Sequence, residues 1–190
     1  MAEHLTERQK AWMASIREGL ERDTGKSLDA WVEIALRCPE TKPKARQKWL
    51  KDNYGLLQNR AMFVLSEAFP ATESGWNRVT DLKGELWADG TNTAIFDAVE
   101  KAVAPAPGLV VGQRKTYSAW SREFQFAALR PLKGGKAMLG LCVPVEADVR
   151  LAPRGRESWS ERLYSKLELA SPADVDATVK ALIKAAWERS

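Results

Sequence analysis

The residues best placed to do chemistry in this chain are cations with aromatic rings set among them. Arg114, Lys115 and Arg122 surround Tyr117 and Trp120, and Arg130 precedes the pair of lysines in Lys133-Gly134-Gly135-Lys136. Arg154 and Arg156 follow in a less regular stretch. Lysine and arginine neutralise phosphates, while an exposed ring offers a base a stacking surface, so this pattern suggests non-covalent contact with nucleic acid. The competing use of the same rings is to fill a core, with Tyr117, Phe124 and Phe126 buried as large apolar side chains. A secondary set lies upstream, where Lys44, Lys48 and Lys51 recur at helical spacing opposite Trp49. Gln58, Asn59 and Arg60 then open the next helix with side chains of the kind that read base edges, which is the composition of a helix-turn-helix reader or of an ordinary bundle with a polar first turn.

Other chemistries are poorly supplied. His4 is the single histidine, so Ser-His-Asp and Cys-His catalysis within one chain and histidine metal clusters are excluded. Cys38 and Cys142 are far apart in sequence and fall in different predicted elements, as reduced structural thiols do. Lys133-Gly134-Gly135-Lys136 joins two predicted strands, whereas a phosphate-cradling loop runs from a strand into a helix, so a plain hairpin is expected. Asp89-Gly90-Thr91-Asn92-Thr93 lacks the glycine and the acid that a calcium loop requires and reads as a turn into a helix cap. Glu123, Glu146, Asp148, Glu157 and Glu161 share the same half of the chain, but no spacing selects a pair. No catalytic residue, metal ligand or cofactor is nominated.

Charge is distributed unevenly. The formal net charge is +4 over 190 residues, yet residues 108–166 alone carry 11 basic and 5 acidic groups, a net of +6, and the segments on either side are each at −1. The excess therefore belongs to the region that alternates like sheet. No apolar run approaches the roughly 18–20 residues that span a bilayer, so no membrane partner is expected. The charged start MAEHLTERQK is unlike a secretory signal, which makes the cytoplasm the expected location.

Those cations need elements to hold them. From Arg114 to Leu141 the chain alternates with the two-residue period of strands. Tyr117 and Ala119 point one way and Thr116, Ser118 and Trp120 the other; after a turn at Ser121–Glu123, Phe124, Phe126 and Ala128 share one face and Gln125 and Ala127 take the opposite one, as in a sheet packed on one side. Ala137 to Val143 is a third strand, and such short turns demand an antiparallel meander. Val110 and Val111 precede it, and Leu163–Leu169 alternates again as a last strand. Ser171-Pro172 with Asp174 is a helix start, and Val175, Val179, Leu182, Ile183, Ala186 and Trp187 give the final helix an apolar stripe.

Before the sheet the periodicity is helical. Thr6 with Gln9 opens a helix carrying Trp12, Met13, Ile16 and Leu20 on one stripe. Ser27 caps a second with Leu28, Trp31, Val32, Ala35 and Leu36; a third near Lys44–Asn53 buries Ala45, Trp49 and Leu50; a fourth near Leu57–Phe69 turns Ala61, Met62 and Leu65 inward. Pro70–Gly75 is the expected linker, Trp76–Asp89 is an ambiguous lead-in, and Asn92–Ala104 is a helix with Ile95, Phe96, Val99 and Val103 inward.

The pattern TGKSLDAWVEIALRC followed by KARQKWLKDNYGLLQNRAMFV resembles the small helical family catalogued as domain of unknown function DUF4287. KTYSAWSREFQFAALRP, MLGLCV and the closing LELASPADVDATVKALIKAAW resemble the family DUF5655. Neither resemblance implies catalytic residues, though members of the second family fused behind nuclease-like domains imply a nucleic-acid setting for some of them. The expected architecture is α+β: an N-terminal four-helix unit over residues 1–70, then an antiparallel sheet domain flanked by helices over residues 76–190. The expected function is a non-enzymatic module that binds nucleic acid through a basic face of the C-terminal domain. A protein-interaction or small-ligand module using an exposed Trp-rich surface is the alternative, and an enzyme built on carboxylate, lysine or tyrosine groups is the third.

Overall fold

The computed structural model describes residues 5–70 and 79–190. His4, residues 71–75 of the expected linker and residues 76–78 of the lead-in lie outside them. The contacts divide the chain into two compact units, one of Glu7–Asn77 and one of Arg78–Ser190 together with Met1–Thr6.

The first unit is helical because its apolar residues recur at three and four and its ends are punctuated. Helix α1 spans Glu7–Thr24, α2 Leu28–Leu36, α3 Pro43–Tyr54 and α4 Gln58–Ala68. Ser27 caps α2 by accepting from the Ala30 N–H, Pro43 occupies the first turn of α3, and Gly55 ends α3 in a left-handed conformation. Leu20, Trp31, Ala35, Leu50, Leu56, Ala61, Val64 and Leu65 form the core. Some side chains expected inside lie outside. Met62 and Trp12 are each about half exposed, and Leu36 is more so. On α4 Ala61, Val64 and Leu65, at i, i+3 and i+4, join the core of this unit; Phe63 is buried as well, while Met62 is turned outward.

The second unit begins with α5 (Val79–Leu86) and α6 (Gly90–Val103). Six strands follow: β1 Val110–Gln113, β2 Ser118–Ser121, β3 Gln125–Pro131, β4 Ala137–Leu141, β5 Ala152–Pro153 and β6 Ser165–Leu169. They form one sheet in the order β1-β2-β3-β4-β6-β5, every neighbouring pair antiparallel. Helix α7 (Ala177–Glu188) closes the chain. The protein is α+β, and the meander lies where the alternation predicts it. The Lys133–Lys136 segment is a hairpin turn, closed by Leu132 N–H to Lys136 C=O at 2.8 Å with Gly134 and Gly135 at φ 75° and 76°.

Register decides which residues share a face. Trp120 lies opposite Ala127, Ala127 opposite Leu141, Leu129 opposite Leu139 and Leu139 opposite Leu167, so these make one surface. Phe96 of α6 stacks on Trp120 at 6.1 Å, and α7 packs on β3 and β4, which identifies this as the helix-covered face. Phe126 is the extra residue of a bulge, since Trp120 pairs with Ala127 and Ser121 with Gln125, and it is fully buried. The other surface carries Ala119, Ala128, Gly140, Lys166, Arg130 and Met138.

That second surface is not open, which corrects the expectation of a sheet packed on one side. The irregular stretch after β4 returns over it as a strap and presses Trp159 onto Gly140. A Cβ at Gly140 would sit 2.7 Å and 2.8 Å from Trp159 ring carbons, so only glycine admits the ring. Ala128 is fully buried and Trp159 is 2% exposed. A second correction concerns the last helix. Ser171 and Asp174 do form a capping box, but it closes a 3-10 turn at Pro172–Asp174, and α7 starts at Ala177 with Asp176 as its cap. Cys38 and Cys142 are free thiols; Cys142 is buried, and burial pushes its pKa up. Among the described residues, no helix is long and apolar enough to cross a membrane.

Candidate nucleic-acid interface

Strand direction sorts the cations between the two ends of the sheet. The β1–β2 turn carries Arg114 and Lys115, and the β3–β4 hairpin carries Lys133 and Lys136. Because the strands alternate in direction, these two turns share one end, two strand spacings or roughly 10 Å apart. Arg122 follows β2 and lies at the far end, four strand residues or roughly 13 Å away. Its Nε and Nη2 donate to Ser190 O at 2.9 and 2.7 Å, and its guanidinium lies 4.9 Å from the centre of the Trp187 ring. A single surface joining Arg114, Lys115 and Arg122 is therefore not what the fold builds.

The aromatic members divide similarly. Trp120 has no exposed surface and packs against Phe96, so it offers no stacking face to a base. It lies on the face opposite Tyr117, as strand alternation predicts, and that face is the helix-covered one. Tyr117 is half-buried and meets Trp159 edge-on at 6.4 Å. Of the tryptophans whose surroundings are described, only Trp12 is classed as exposed, so the described tryptophans do not make an exposed Trp-rich surface.

Lys115, Lys133 and Arg156 are exposed, with no ion-pair partner among the described residues. Lys136 is tied to Glu168 at 2.6 Å. Arg154 is half-buried, and its Nη2 donates to the backbone oxygens of Glu157 and Trp159 at 2.9 and 3.0 Å, so it braces the strap from within. Arg114 is half-buried; its backbone N–H donates to Tyr117 C=O across the turn and its Nη1 lies 3.4 Å from Gln113 O.

In the helical unit the lysine stripe is partly spent. Lys44 and Lys51 are exposed, and Lys48 bonds Asp52 one turn on. Gln58 and Asn59 are exposed, but Arg60 is bonded to Asp23 of α1 and is not available to read a base.

One ionic cluster was not singled out by sequence reasoning. Glu157, on the strap, receives Arg130 through two parallel bonds, Nε to Oε2 at 2.8 Å and Nη2 to Oε1 at 3.1 Å, and Lys166 Nζ to the same Oε1 at 2.9 Å. The Arg130 bond above all, with Lys166 adding, holds the Glu157 carboxyl below its ordinary value against the opposing effect of burial. A carboxylate so engaged is a poor proton acceptor, which argues against a general base here. The sequence signal that could have found Lys166 is its alternation between Ser165 and Leu167, which places it on the face away from the leucines. For Glu157 there was none, since the strap has no period. Among the described residues, no group of His, Cys, Asp and Glu could hold a metal ion.

A family model described as Domain of unknown function (DUF5655) matches residues 84–190, and one described as Domain of unknown function (DUF4287) matches residues 12–68. No curated protein and no solved structure matches the chain.

Proposed function

The chain belongs to the family Domain of unknown function (DUF5655), and from its geometry we propose a non-enzymatic module that contacts the phosphates of nucleic acid with one end of its sheet. The observation carrying this reading is that Lys115 and Lys133 stand exposed, without an ion-pair partner among the described residues, on two neighbouring turns of the same sheet end. Cations carried on two turns about 10 Å apart in the sheet suit successive phosphates of a strand better than a single small anion. Trp120 is buried and offers no stacking face, so the affinity is assigned to electrostatics and falls steeply with salt. The test is fluorescence anisotropy with labelled single- and double-stranded DNA and RNA, at low and at near-physiological salt. Salt-sensitive binding that a Lys115→Ala, Lys133→Ala double variant reduces supports the reading. Absence of binding at low salt, or binding that the double variant leaves intact, overturns it.

A protein-interaction module is favoured by a different observation. Trp12, Leu36, Tyr54, Leu57 and Met62 of the helical unit are each more than 40% exposed, and Tyr54 and Leu57 flank the α3–α4 junction.

A further inference from the structure

Arginine's planar fork together with a lysine is a recurring way to hold a phosphate, the first through parallel N–H bonds and the second as a point charge. Arg130 on β3 and Lys166 on β6 form such a pair: both donate to one oxygen of Glu157, which brings their nitrogens close together on the strap-covered face. Their side chains retain 29% and 24% of their exposure, while Glu157 retains 9%. Only three of their N–H groups are used on Glu157, and the others have no acceptor among the described residues.

The strap is also short of acceptors. Arg154 Nε and Trp159 Nε1 are buried without a hydrogen-bond partner among the described residues, so two donors of this region are left unmatched. Glu157 reaches the two cations from a segment that is neither helix nor strand, so exchanging its carboxylate for another anion leaves the β3–β4–β6 ladder intact.

We propose that Arg130 and Lys166 form an anion site for a phosphate group and that the Glu157 carboxylate occupies it as an internal competitor. This site is separate from the sheet end carrying Lys115 and Lys133, and it takes a single phosphate rather than a strand. Entry of a phosphate exchanges one set of charge-assisted hydrogen bonds for another and makes or breaks no covalent bond. Removing the competing charge while keeping the side-chain shape must therefore tighten binding, whereas a carboxylate that merely braces the fold would give the opposite sign.

The test titrates inorganic phosphate into the full chain and into Glu157→Gln, at constant ionic strength with chloride as the control, using calorimetry. Glu157→Gln should bind about tenfold more tightly, the scale of one charged competitor removed, and adding Lys166→Ala should abolish the gain. In the unaltered protein, the Arg130 Nε–H resonance should move with phosphate and not with chloride, a measurement that stands even if the variant does not fold. Equal or weaker binding by a folded Glu157→Gln, or an Arg130 resonance indifferent to phosphate, overturns the proposal. Substituting Lys115 and Lys133 should leave phosphate binding unchanged, so failure here and failure of oligonucleotide binding are read separately.

Discussion

The two faces of the sheet solve the same burial problem with different materials. On one face Trp120, Leu129, Leu139, Leu141, Leu167 and Leu169 meet helices, all buried, with Phe96 stacked on Trp120. On the other, small residues, Ala119, Ala128 and Gly140, leave room for one ring, Trp159, and the remaining ground is taken by the Arg130–Glu157–Lys166 bridge. The first face is stabilised by area removed from water, which is non-directional and tolerant of salt and pH. The second depends on a single steric fit and on charges whose bonds are directional. An apolar face can only hold the fold, whereas a charged one also carries groups able to exchange partners.

This contrast can be broken deliberately, most severely on the helix-covered face. Trp120→Ala should lower the unfolding free energy by about 3–5 kcal/mol, the usual cost of deleting a large buried aromatic, with the urea midpoint as the measurement. Gly140→Ala should cost about 1–3 kcal/mol on the strap face, because Trp159 must shift to admit one methyl; the same denaturation curve and the near-ultraviolet circular dichroism of tryptophan report it. A neutral result for Gly140→Ala would mean that the strap is not seated as described.

Glu157→Gln should be milder, about 1–2 kcal/mol after allowance for the partial exposure of both cations. Its pH dependence sharpens the comparison. Glu157 titrates below its ordinary value in the folded protein, so its contribution is fully present above the ordinary glutamate range and is lost as pH falls through the depressed folded value. The variant should therefore lose less stability than the unaltered protein on acidification, measured as melting temperature against pH. Trp120→Ala should retain the full acid sensitivity. Smallest of all, Lys115→Ala and Lys133→Ala should each change stability by no more than about 0.5 kcal/mol, yet each should lower the salt slope of oligonucleotide binding by about 1.

What the sequence made legible follows the same division. Ile95, Phe96, Val99 and Val103 announce α6 and its buried side by spacing alone, and Gly134-Gly135 announces a hairpin because both positions need positive φ. Strand alternation sets Trp120 opposite Tyr117, but alternation cannot say what covers a face, so it leaves Trp120 open between an exposed ring and a core one. The bulge at Phe126 adds one residue that a strict two-residue period does not anticipate. The strap was illegible for a deeper reason. Glu157 and Trp159 are placed by partners 19 to 27 positions earlier, Gly140 and Arg130, and such contacts leave no local periodicity. Arg122 shows the same limit. It is near Lys115 in sequence, but the strand between them carries it to the opposite end of the sheet and to Ser190.

Cys142 directly follows β4, 3% exposed, and burial pushes its thiol pKa up. Only the thiolate reacts with alkylating reagents, so this sulfur is silent until the surrounding layers part. Cys38, partly exposed in the helical unit, supplies an internal reference for reagent strength. Timed alkylation read by mass spectrometry would thus turn the chain's own sulfur into a clock for how often the sheet opens, with no label introduced.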